Sequence, residues 1–92
     1  MNIPLLLKAL TNAGRKACLA HPDAKLYASV NHDDNFALSM GSTIQDAMMD
    51  VIIERVDAKD RTCIEWFNKE SNRQFKQMAM AIGKECWTIL RK

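Results

Sequence analysis

The sequence predicts an α+β fold: an N-terminal helix, a small antiparallel β-hairpin, then two or three C-terminal helices packed on one face. Three observations predict it. Apolar residues recur at helical spacing near the start, and they alternate with period two between Lys25 and Met40. From Ser42 to Ile82 there is neither glycine nor proline to force the chain out of a helix.

The first element is a helix over about 4–20. Ile3, Leu6, Leu7, Leu10, Ala13, Gly14 and Ala17 share one face of its wheel, and Lys8, Thr11, Asn12 and Arg15 the opposite one. Pro4 suits a first helical turn, with Asn2 or Ile3 flanking it, and Pro22 stops the helix. Leu5 and Leu19 fall on the polar side.

The second element is the hairpin, over about 25–40. Leu26, Ala28 and Val30 alternate, then Phe36, Leu38 and Met40, around the turn-like His32-Asp33-Asp34-Asn35. Gly41 ends the second strand. Ser42 with Gln45 has the form of a capping box, opening a helix over about 43–57. Asp57 or Asp60 could cap a short helix at about 61–69, and Ser71 with Gln74 repeats the capping box before a helix at about 72–91. One long bent helix is the alternative, but the chain must fold back to bury Ile64, Phe67, Phe75 and Ile82. The run Gly41-Ser42-Thr43-Ile44-Gln45-Asp46-Ala47 resembles the strand-to-helix junction of HicB-type antitoxins, and small phage-borne sandwich domains have a similar junction. The resemblance implies a strand before Gly41 and transfers no site residue.

At 92 residues the chain reads as a single domain, 1–92, with 48% apolar and 26% charged residues, an ordinary globular composition. A core this thin leaves room for a homodimer or a partner-stabilised state. Cys18, Cys63 and Cys86 form neither a C-x-x-C pair nor a metal-ligand spacing, which favours reduced thiols and a cytoplasmic protein. The opening apolar run lacks a preceding basic residue and is broken by Lys8, so neither a signal peptide nor a membrane span is expected.

The net charge of +2 hides a polarised chain. Residues 42–70 carry four basic and seven acidic groups, residues 71–92 five basic and one acidic. On the helix at about 43–57, Asp46, Asp50, Glu54 and Asp57 form an acidic ridge, either a surface for a basic partner or a solvated face. On the last helix, Arg73, Lys76, Lys84 and Arg91 lie opposite the apolar face, with Met80 and Trp87 among them. That stripe is expected to be the main binding surface, centred on Trp87, since Trp and Arg are enriched at interface hot spots. The other reading is that Trp87 packs on the first helix or across a dimer seam.

No catalytic set, metal site or cofactor site is expected. The His32-Asp33-Asp34 run reads as a hydrophilic turn, no Ser-His-Asp or Cys-His arrangement is discernible, and the three glycines do not cluster as a phosphate loop would need. The expected function is therefore a non-enzymatic protein-interaction module: an adaptor, inhibitor or small subunit of the kind common among phage and mobile-element accessory proteins. The alternative is a small nucleic-acid-binding domain using the basic face of the last helix. No membrane partner is expected.

Overall fold

The computed structural model describes residues 1–70 and 73–92. Among the described residues the chain is a helical bundle without strands: α1 (Ile3–Ala20), α2 (Ala24–Val30), α3 (Asp33–Ser39), α4 (Gly41–Asp57), α5 (Arg61–Glu70) and α6 (Gln74–Leu90). The predicted α+β class is therefore corrected to all-α, and the segment 42–91 resolves into three helices. The bundle is elongated, 41 × 21 × 19 Å.

The β-hairpin does not form: of the face it would have buried, Ala28, Phe36 and Met40 are core but Leu26, Val30 and Leu38 are not. Leu26 and Val30 are 59% and 69% exposed, and Leu38 is 68% exposed. What faces the core is Ala24 and Ala28, four residues apart, then Phe36, Ala37 and Met40. The helical period runs through alanines, which are the best helix formers and let short helices pack closely. Asp33 and Asp34, read as turn chemistry, sit in the first turn of α3, where carboxylates meet the positive end of the helix dipole. Turn chemistry and helix-start chemistry use the same residues. Two isolated strands would also have been marginal in water.

α1 begins as expected from Asn2 and Pro4: the Asn2 side chain accepts a hydrogen bond from the Leu5 amide at 2.9 Å. It buries Leu6, Leu10, Gly14 and Cys18 against α4 and α6. The Ser42–Gln45 capping box does not form. α4 already starts at Gly41, and Met40 serves as both the C-cap of α3 and the N-cap of α4, its carbonyl accepting from the Ile44 amide at 3.0 Å. Gly41 thus follows a helix, which removes the strand implied by the antitoxin-like junction.

Lys59 terminates α4 in the left-handed region, φ 61°. Its amide donates to the Val56 carbonyl at 3.0 Å and the Asp60 amide donates to the Arg55 carbonyl at 2.9 Å, the paired bonds of a Schellman stop. Asp60 then caps α5 by accepting from the Cys63 amide at 3.2 Å. This bond holds the Asp60 carboxyl below its ordinary pKa, helped by the α-amino group of Met1 3.2 Å away. The second predicted capping box includes Ser71, which lies outside the described residues. Across that link, Phe67 and Phe75 meet edge to face, with centroids 5.9 Å apart, and tie α5 to α6.

One hydrophobic cluster draws on all six helices, with Phe36, Leu6, Leu10, Met40, Ile44 and Met48 fully enclosed. Two glycines set how closely helices approach within it. A Cβ on Gly83 would stand 2.8 Å from the Ala37 backbone, so α3 crosses α6 almost at backbone contact. A Cβ on Gly14 would meet Ile44 at 2.9 Å, which holds α1 against α4. The three cysteines are free and buried. Burial raises the pKa of the Cys63 thiol, and a hydrogen bond with Cys86, together with burial, raises that of Cys18.

Candidate functional site

The residues expected to form one stripe on the last helix divide into two groups. Trp87 is half-buried, and its indole N–H donates to the Asn31 carbonyl at 2.7 Å. Arg91 stacks on the same ring, 5.2 Å from its centroid, and donates to the Ala28 and Ser29 carbonyls at 3.4 Å each. Both side chains therefore close the C-terminal end of α2, supplying donors to carbonyls that the short helix leaves without partners. The sequence placed Trp87 off the core stripe of α6 but could not show what covers it, because the covering segment read as a strand.

Lys84 reaches α3 and pairs with Asp34 at 2.9 Å. That hydrogen bond raises the lysine pKa, and Asp33 nearby adds to the effect. Both partners are well exposed, so the pair contributes little to stability. Arg73 and Lys76 remain exposed at the start of α6.

On α4, Asp46, Asp50 and Glu54 are all exposed, as the ridge predicted. Glu54 lies 3.4 Å from its neighbour Arg55. Among the described residues, Asp46, Asp50 and Lys76 enter no ion pair.

These two sets meet at a cleft of about 450 Å³ where α3, α4 and α6 converge. α4 contributes Gly41, Ser42, Gln45 and Asp46; α6 contributes Lys76, Ala79 and Met80; α3 contributes Ala37 and Leu38. Of the residues singled out from the sequence, Asp46, Lys76 and Met80 come together here. Asp50 and Glu54 continue along α4 at successive turns. Arg73, Lys84, Trp87 and Arg91 are not among the lining residues.

Leu38 is the residue that sequence reasoning missed. It was assigned to the buried face of a strand, beside Phe36. In a helix, residues two apart point to roughly opposite sides, so burying Phe36 turns Leu38 outward. A helical wheel of 33–39 would have shown it.

His21 accepts the Asp23 amide through Nδ1 at 3.1 Å, and His32 is exposed at the cap of α3. Neither lines the cleft. Among the described residues, no three His, Cys, Asp or Glu side chains converge as metal ligands, and no helix is long and apolar enough to cross a membrane. No family model, curated protein or solved structure matches the chain.

Proposed function

We propose that the chain is a non-enzymatic protein-interaction module of the cytoplasm, an adaptor, inhibitor or small subunit, whose contact face is the α3–α4–α6 cleft. The observation that carries this reading is Leu38, a large aliphatic side chain 68% exposed at the edge of an apolar recess. A single exposed leucine is ordinary. An exposed leucine beside Met80, above Ala37, Ala79 and Gly41, with Asp46 and Lys76 at the margin, has the anatomy of an interface: apolar centre, polar rim. Trp87 and Arg91, the natural anchors by residue type, are already engaged with α2.

The nucleic-acid alternative draws less support. Phosphate affinity needs several cations acting together. Of the four on the outer side of α6, Lys84 is paired with Asp34 and Arg91 is bound to α2 carbonyls, while Lys76 shares its cleft with Asp46 of α4.

Site-specific incorporation of a photo-crosslinking residue at Leu38, in the source cells, tests the reading. Covalent adducts to protein that survive nuclease treatment are the expected result. Adducts to nucleic acid alone, or none above those formed from exposed Lys8, would sink it.

A further inference from the structure

We propose that the occupant of this cleft is a second copy of the chain, related by a two-fold axis running along the groove between α4 and α6. The inference rests on reading the cleft as a protein contact face and names its partner.

The first ground is the distribution of charge. The α4 wall carries Asp46 at the cleft and Asp50 one turn on, while the α6 wall carries Lys76. Among the described residues all three lack ion-pair partners. A uniformly basic or uniformly acidic partner would satisfy one wall and be repelled by the other. A second copy supplies both signs at once, since an isologous contact sets the same patch against itself.

The orientation follows from the same charges. With the axis along the groove, the α4 wall of each copy faces the α6 wall of the other, and Asp46 meets Lys76 twice. With the axis across the groove, Asp46 would meet Asp46 and Lys76 would meet Lys76. Like charges brought together at an interface oppose association.

The second ground is apolar. The edge of α4 that presents Gln45 to the cleft continues through Met49, Ile53 and Val56, at intervals of four and three residues. Met49 is half-buried, Ile53 is 52% exposed and Val56 is 39% exposed. With Leu38 and Met80 this lengthens the apolar surface by further turns of α4 beyond the cleft itself. The core of one copy takes Ile44, Met48 and Ile52 of that helix fully and Met49 and Val51 in part, which leaves Ile53 and Val56 exposed.

Sedimentation velocity on the purified full chain, from micromolar to submillimolar concentration, tests the proposal. The wild type is expected to show a monomer–dimer equilibrium. Asp46→Lys and Lys76→Glu should each weaken it by about tenfold or more, since each sets like charges at both symmetry-related contacts. Mixing the two variants should restore the dimer as a heterodimer. One of its two contacts then sets the introduced lysine against the introduced glutamate, and the other keeps the native Asp46 against the native Lys76. Leu38→Glu, with helical circular dichroism retained, should be monomeric. A wild type that stays monomeric overturns the second copy as occupant, while protein adducts at position 38 would still support the contact face. A dimer indifferent to all three substitutions, or variants that fail to rescue each other, overturns it as well.

Discussion

The indole N–H of Trp87 and the carbonyl of Asn31 lie 2.7 Å apart, joining the end of α6 to the end of a helix 56 residues earlier. α2 has seven residues, fully buries only Ala24 and Ala28 and packs Tyr27 partly against the core, a small apolar surface to hold it in place. Its position depends on this bond and on Arg91, which lies over the same ring and reaches the neighbouring carbonyls.

Trp87→Phe should therefore cost about 1 kcal/mol, the worth of one hydrogen bond, and Trp87→Ala more through lost packing. The loss should be local: hydrogen exchange at the Tyr27 to Asn31 amides should accelerate more than at α1 or α4. Urea melts and exchange profiles that match the wild type would show that the bond does not anchor α2.

Phe36 and Leu38 form a matched pair of probes. Phe36 is fully enclosed, so Phe36→Ala should cost about 3–5 kcal/mol. Leu38 faces outward, and Leu38→Ala should change stability by about 0.5 kcal/mol or less. Comparable losses in the two denaturant curves would return both residues to one buried face, as in a strand.

Gly83→Ala is expected to destabilise by about 1–3 kcal/mol, the cost of overpacking, despite the gain of about 1 kcal/mol in helix propensity. The obstacle is the Ala37 backbone at 2.8 Å, which cannot swing aside. Gly14→Ala should be milder, since what it meets is side chain rather than backbone, the Ile44 Cγ2 methyl at 2.9 Å and the Ile82 Cδ1 methyl at 3.1 Å. Thermal melts that rank Gly14→Ala as the more damaging would refute the close α3–α6 crossing.

The Asp60 carboxylate titrates lower in the folded chain than in the unfolded one, chiefly because it accepts the Cys63 amide. Its stabilising effect is complete above the unfolded carboxyl value of about 3.9 and is lost as pH falls through the lower folded value. Asp60→Asn should flatten this part of the acid limb. An unchanged slope below pH about 4 would mean that the cap does not hold the charge.

The long helices were legible because their cues are local. α1 shows its face at every third or fourth residue, and neither glycine nor proline lies between Ser42 and Ile82. Asp57 and Asp60 both offered a cap for the break between α4 and α5, and Asp60 is the one that forms it, although Lys59, a non-glycine in the left-handed region, gave no warning. α2 and α3 were hidden because their core residues are mostly alanines, while the larger Leu26, Val30 and Leu38 alternated on the outside. The charged residues of the cleft were visible one helix at a time. That Asp46 and Lys76 share one cleft is set by how α4 and α6 pack, and no sequence period spans that separation.

The three thiols give the molecule an internal clock. Cys18, Cys63 and Cys86 lie on α1, α5 and α6 with no exposed surface, and Cys18 and Cys63 are also held toward the unreactive protonated form. A thiol reagent can reach them only during the moments when a helix lifts from the bundle. Cys18 and Cys86 face each other, so the labelling rates, resolved by mass spectrometry, would time the parting of α1 from α6 separately from the departure of α5, with no engineered probe.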